Sequence, residues 1–358
     1  MNRFLIVDVG AGTMDVLCYD MGSDEHYKAV VKSPIRTLAE AAENLPGNLL
    51  ITGTEMGGGE LSVVLERRSK KDEVIMSASA AATIHHNPEK VRSLGIKIVD
   101  DNEIANLQRR QAYHMLRTCD LEVDRLEEIV KGLGIPLSFD VVGLCAQDHG
   151  RAPDGMSHLD YRHQIFKAGL DENPFLHGLL YRDDEIPASL SRLKAMAESA
   201  KMLSADEIYV MDSGMAAILG ASMDWRVREK KRTMVLDVAT SHTVAAALDR
   251  GEMAGFFEYH TKDITLERLE ALLEALADGR LNHEEILKEG GHGAYIRKAL
   301  GFRIREGIVA TGPKRRLVEQ SRLPILFGSP LGDNMMTGTV GVLEAIRRRK
   351  GLRAISFL

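Results

Sequence analysis

The chain has 358 residues, a formal net charge of −6, and apolar and charged fractions of 44% and 27%. That length exceeds the size at which one hydrophobic core stops growing, so two domains are expected. The acidic balance argues against a nucleic-acid surface. No run approaches the roughly 18 apolar residues of a membrane span, and the apolar start Phe4–Val9 reads as a strand rather than a leader. No nucleic-acid or membrane partner is therefore expected, and a cytoplasmic location is. Cys18, Cys119 and Cys145 are far apart in sequence and form no disulfide framework and no zinc or iron–sulfur spacing.

In chain order, 4–10, 13–20 and 26–32 read as three strands of a meander, with turns at Ala11-Gly12 and Met21-Gly22-Ser23. The first hairpin, FLIVDVGAGTMDV, ends its opening strand in Asp8 and closes the next turn with Asp15. Backbone N–H groups at Gly10 and Gly12 suit phosphate oxygens because no Cβ stands in the way, with Thr13 as a hydroxyl donor. Asp8 then suits a hydrated Mg²⁺. The plainer reading is a β-turn whose glycines serve positive φ.

A strand over 48–52 leads into TGTEMGGGE and a helix near 59–68. This loop lacks the Gly-Lys-Ser/Thr ending of a P-loop, so Gly57, Gly58 and Gly59 read as a substrate-facing loop or lid. Next come a strand over 73–77, an Ala-rich helix, a strand over 96–99, a long helix over 102–117 and another over 122–132. The strand 139–145 runs into Gln147, Asp148 and His149, which are either substrate-side groups or a plain polar strand end. Residues 148–187 read as an irregular insertion or binding loop. Its histidines at 149, 158, 163 and 177 match no ligand spacing, so no metal beyond a nucleotide's Mg²⁺ is expected. A helix over 188–202, a strand over 207–211 and a helix over 213–222 follow. Asp212 opens that last helix, as a general base for a substrate hydroxyl or simply as its N-cap.

The basic stretch WRVREKKR over 225–232 reads as a boundary, because the grammar then restarts with strands over 233–239, 242–248 and 252–260. In MVLDVATSHTVAAAL, Asp237 is placed as a second metal-facing carboxylate, with Thr240, Ser241 and Thr243 as phosphate donors. The plain alternative is a buried strand and a polar turn. A leucine-faced helix begins after Thr265 and stops at Gly279. Two halves that each open with three strands suggest duplication of one unit.

Taken together, these motifs resemble the actin, heat-shock-chaperone and sugar-kinase ATPase superfamily. DVGAGTMD at 8–15 is similar to its first phosphate motif, LDVATSHT at 236–243 to its second, and GIVATGP at 307–313, with Thr311 and Gly312, to its adenosine turn. YVMDSGMAAILG at 209–220 and GDNMMTGTVG at 332–341 resemble its two connecting helices, where paired Ala and a Gly allow close crossing. The second phosphate motif departs from the pattern, with Ala239-Thr240-Ser241-His242 where glycines usually stand. The whole chain also looks like a family within this superfamily labelled a pyruvate formate-lyase activating enzyme. That label implies radical chemistry on an iron–sulfur cluster held by three closely spaced cysteines, a triplet this sequence lacks.

The resemblance implies an α/β fold of two ribonuclease-H-like lobes, the actin-like ATPase fold, with a nucleotide cleft between them. Residues 1–222 with a closing helix over 335–358 would form the first lobe and 226–334 the second. ATP and Mg²⁺ are the implied cofactors, with Asp8 and Asp237 on the metal and Asp8, Asp212 and Asp237 as catalytic candidates. Three functions follow: phosphoryl transfer to a small metabolite, an ATPase switch acting on a protein partner, or a non-hydrolysing nucleotide-binding scaffold. Asp212→Asn separates the first two, since a kinase would lose most turnover and a switch would keep much of it.

Overall fold

The computed structural model of the chain describes residues 3–109 and 112–355. The first three strands, β1 (Arg3–Val9), β2 (Thr13–Asp20) and β3 (Glu25–Lys32), form the expected meander. An inserted unit follows with β4 (Leu49–Gly53), β5 (Val74–Ser77), β6 (Lys97–Val99) and β7 (His114–Thr118). The chain then returns through β8 (Ser138–Ala146), β9 (Tyr181–Arg182) and β10 (Ser204–Asp212). The second half holds β11 (Arg232–Val238), β12 (His242–Asp249), β13 (Glu252–His260), β14 (Gly293–Ile296), β15 (Gly307–Thr311) and β16 (Ile325–Phe327).

Two of the three sheets share one topology. The first runs β3-β2-β1-β8-β10-β9 and the second β14-β13-β12-β11-β15-β16. In each, three antiparallel strands lead to a central strand that pairs in parallel with the next two, β1 with β8 and then β10, and β11 with β15 and then β16. This is the ribonuclease-H-like order, present twice. The third sheet, β6-β5-β4-β7, is wholly parallel and belongs to the insertion. Its two central strands β4 and β5 are short, largely apolar and buried, whereas the outer strands β6 and β7 are more exposed.

Two helices tie the halves together. Ser213–Ser222 and Thr337–Arg349 cross so closely that a Cβ on Gly220 would run into the Thr337 carbonyl, and one on Gly341 into the Ala216 carbonyl. Small residues at the crossing therefore set the spacing of the two lobes. One continuous apolar cluster surrounds this crossing, drawing Phe4 and Ile6 from the first sheet and Val235 and Phe256 from the second.

Two expected elements are corrected. The helix over 102–117 stops early: Asp101–Gln108 is helical, and His114–Thr118 is strand β7. Residues 110 and 111 of that span lie outside the described residues. The β7 edge is needed to complete the insert sheet, a long-range demand that helical periodicity does not reveal. The stretch 148–187 is not irregular throughout, since His158–Glu172 is a 15-residue helix with Ser157 as N-cap. Its buried face carries Arg162 and His163 beside Phe166 and Leu170, so its apolar stripe is broken by polar residues.

Candidate functional site

The two hairpin tips, the insert loops and the β8 end enclose a cavity of about 610 Å³, within the usual range for small-molecule sites. The hairpins are built alike. Gly10 N–H donates to the Thr13 carbonyl at 3.0 Å, and Ala239 N–H donates to the His242 carbonyl at 3.0 Å. Neither Gly10 nor Gly12 has positive φ, so turn strain does not explain these glycines. Close approach does explain Gly12, because a Cβ there would lie 2.7 Å from Thr240 Oγ1 across the cleft.

Three carboxylates line the cavity beneath the tips. Asp8 and Asp15 face each other across the β1–β2 ladder, and Asp237 occupies the matching place in β11. Ser213 Oγ donates to Asp8 at 3.0 Å and Thr311 Oγ1 to Asp237 at 2.8 Å. Burial pushes Asp8 and Asp237 up to about 6. Burial, with the Asp8 charge opposite, pushes Asp15 up to about 8. Asp15 Oδ1 is buried without a hydrogen-bond partner. Among the described residues, none of the three carboxylates is in an ion pair. Oxygen donors buried at this cost, one of them without a partner, fit a hard divalent cation, which would favour their ionised forms.

Most expected site residues line this cavity: Asp8, Gly10, Gly12, Thr13, Asp15, Gly57, Gly58, Gly59, Gln147, Asp148, His149, Asp237, Thr240, Ser241 and Gly312. Gly312 takes positive φ, and a Cβ there would lie 2.5 Å from the Val238 carbonyl. Gly58 lies tight against the Thr83 carbonyl, so it serves close packing of the loop. Three expectations are corrected. Thr243 is fully buried and shares a hydrogen bond with Thr261, away from the cleft. Thr311 is also fully buried and acts through Asp237.

Asp212 is the third correction, because its oxygens are already committed. It caps Ser213–Ser222 by accepting from Gly214 and Met215 N–H, takes Arg162 Nη2 at 2.9 Å and Nε at 3.3 Å, and accepts Asp148 N–H at 3.3 Å. No lone pair is left to take a substrate proton. Asp148 is held less fully, one oxygen accepting from Gly150 N–H at 2.8 Å and the other from Leu193 N–H at 3.0 Å.

Several cavity groups were not expected. Glu258 on β13 bonds Arg162 and accepts from Gln147 Nε2 at 2.6 Å, and the Arg162 guanidinium holds it well below the usual carboxylate range. Its signal was in plain view as a Glu inside the apolar run MAGFFEY. Glu55 pairs with His86 Nε2 at 2.7 Å, while Glu55 Oε2 has no partner. Arg192 forks onto Asp120 at 2.7 and 2.9 Å and reaches the Gln147 carbonyl at 2.6 Å. The expected His149 and its neighbour His242 are driven down to about 3, chiefly by burial, and so stay neutral. The unexpected groups come from segments far apart in the chain, so no single stretch of sequence marks them.

Two lobes of repeated ribonuclease-H-like topology, joined by crossing helices over one cleft, define the actin-like ATPase fold. Residues 56–317 match the family described as "Putative pyruvate format-lyase activating enzyme (DUF1786)". The chain belongs to that family. No curated protein matches it. Among solved structures it is similar to MreB 5 of Spiroplasma citri bound to AMPPNP, at 12% identity, 98% coverage of both chains and a TM-score of 0.39. It is also similar to an inorganic polyphosphate/ATP-glucomannokinase from Arthrobacter sp. strain KM, at 10% identity, covering 97% of this chain and 100% of that one, TM-score 0.38. A third is the activator of the 2-hydroxyisocaproyl-CoA dehydratase from Clostridium difficile with bound ADPNP, at 8% identity, 99% coverage of both and a TM-score of 0.36. The fold assignment rests on the strand orders themselves.

The radical chemistry in the family description does not fit this chain's cysteines. Cys18 packs in the apolar layer on one side of the first sheet and Cys145 in the layer on the other side. Cys119 donates to the Leu121 carbonyl at the insert boundary. Thiols divided by a sheet cannot ligate one cluster.

Proposed function

We propose that the cleft binds Mg²⁺–ATP between the two hairpins and transfers its γ-phosphoryl group to a small molecule held on the insert side. The observation that carries this reading is the placement of Asp8, Asp15 and Asp237 in one cavity under two matching hairpin tips, with none of them in an ion pair among the described residues. Asp8 and Asp237 would hold the Mg²⁺, which supplies charge neutralisation at the phosphates. Backbone N–H groups of the first hairpin, with Thr13, Thr240 and Ser241 hydroxyls, would orient the phosphate oxygens. Gly312 would leave room for the nucleoside.

Phosphoryl transfer, rather than hydrolysis alone, is favoured by the far half of the same cavity. It continues past the hairpins to Glu55, His86, Gln147 and His158, leaving room for an acceptor. The Glu55–His86 pair is the group there able to take a hydroxyl proton, a role for which Asp212 has no free oxygen. An ATPase switch acting on a protein partner is the second reading, supported by the narrow helix crossing as a hinge between lobes.

Calorimetric titration with Mg²⁺–ATP beside Asp8→Ala tests the nucleotide site. Micromolar binding that falls at least about 100-fold in the variant is expected. Absence of heat and of any thermal shift would overturn the reading. With binding in hand, loss of transfer in His86→Ala with binding retained separates a kinase from a switch.

A further inference from the structure

Beside the hairpin carboxylates, at the second lobe's side of the cleft, three imidazoles meet. His149 comes from the β8 end, His242 from the turn into β12, and His292 from the glycine loop before β14. One ring nitrogen of each lies within 4.8 Å of the others. Tetrahedral metal–nitrogen bonds of about 2.0–2.1 Å set three nitrogens roughly 3.4 Å apart, so a bound metal would draw these rings closer together.

The ring contacts show how the set is held. His242 Nδ1 lies 2.9 Å from Ser241 Oγ, which fixes the ring and leaves Nε2 buried with no partner. His292 Nδ1 is buried and makes no hydrogen bond, with the Glu258 carboxylate at 3.7 Å as its nearest acidic neighbour. Buried polar atoms without hydrogen-bond partners are uncommon, and this set of three rings contains two of them. His260 packs edge-on against the His292 ring at 4.3 Å between centroids. Gly291 is crowded by Tyr259, and Gly293 takes positive φ, so the glycine loop lies flat against β13 and delivers His292 inward. Beneath the cluster, one guanidinium (Arg162) faces two carboxylates (Asp212 and Glu258), an excess of negative charge under the rings.

We infer that His149, His242 and His292 form a site for a divalent late transition metal such as Zn²⁺, distinct from the carboxylate site proposed for Mg²⁺. Neutral imidazoles select zinc, cobalt or nickel over magnesium, which prefers oxygen. Three protein ligands leave a fourth position, and His149 and His242 line the cavity, so that position opens toward the bound acceptor. Ser241 holds the outer nitrogen of His242 as an outer-shell partner does. The metal would hold an oxygen atom of the acceptor and complete a cleft with two cation sites of different chemistry.

The test uses the full chain stripped by a chelator and titrated with CoCl₂ in the absence of nucleotide, followed by visible absorption. About one equivalent of cobalt per chain, with the strong d–d bands of four or five coordination and displaced by ZnCl₂, is the expected result. His149→Ala, His242→Ala and His292→Ala should each abolish the bands and weaken binding by more than about 100-fold, beyond what losing an outer-shell partner gives. His177→Ala should leave them unchanged. Because His292 is buried, X-ray absorption of the zinc-loaded unaltered protein provides a readout that needs no variant, and three imidazole nitrogens are expected. No stoichiometric uptake, uptake that survives all three substitutions, or a shell of oxygen or sulfur alone would overturn the inference. Asp8→Ala distinguishes the two proposals, since it should lose Mg²⁺–ATP and keep cobalt.

Discussion

The two hairpins at the cleft have one shape and two sequences. Each closes with the same backbone bond, and each places an aspartate two residues before the turn, Asp8 before Gly10 and Asp237 before Ala239. Across the ladder they diverge, because Asp8 faces Asp15 whereas Asp237 faces Val244. The first tip is bare backbone, and the second carries Thr240, Ser241 and His242. The turn itself therefore does not need glycine. Glycine is needed where one tip must pass under the other, so missing glycines in the second hairpin do not argue against a nucleotide clamp.

The largest expected effect tests whether both hairpins bind. Asp237→Ala should lower Mg²⁺–ATP affinity about 100-fold, matching Asp8→Ala by calorimetry. A loss under tenfold would leave the first hairpin as the sole site. Next comes the helix crossing that holds the tips in register. Gly341→Ala should cost about 1–3 kcal/mol in urea unfolding, since its Cβ meets the Ala216 backbone and neither helix can yield cheaply.

Gly12→Ala should weaken nucleotide binding about tenfold with little change in unfolding. Pairing it with Thr240→Ala should recover much of that loss, a non-additivity expected of two groups in contact. Gly10→Ala should change little, because its Cβ would meet only the Thr13 carbonyl at an ordinary 3.4 Å.

A further test is the pH response. Asp15 holds its proton to about 8 when folded, against an ordinary value of 3.8, so the folded state binds more protons over that range. Stability then falls as pH rises from about 4 to 8. Asp15→Asn should flatten this slope in thermal melts, as should saturating Mg²⁺–ATP, which favours the charged carboxylates.

Much of the cleft was legible because its first layer is local. Strand, aspartate, turn and strand lie within about a dozen residues, and the continuous apolar run places the carboxylate at the strand end without help from the rest of the chain. The capping of Ser213–Ser222 by Asp212 is equally local. What the sequence left open was whether Asp212 had a lone pair to spare, and its bonds to Arg162 settled that from 50 positions away. Thr243 and Thr311 illustrate the same limit. Their hydroxyl chemistry is right for phosphate, but strand alternation turns Thr243 toward Thr261, and sheet pairing turns Thr311 toward Asp237.

By itself the sequence determined the three-strand opening of each half, the placement of Asp8 and Asp237 at strand ends, and the small residues at the helix crossing, because each depends on local pattern and on the size of single side chains. Tertiary structure alone decided that the insert is a third parallel sheet, that Glu258 and Arg162 share one buried ion pair, and that His149, His242 and His292 meet. Those facts come from packing segments that are distant in the chain, and no spacing along the chain encodes a distance across the cleft.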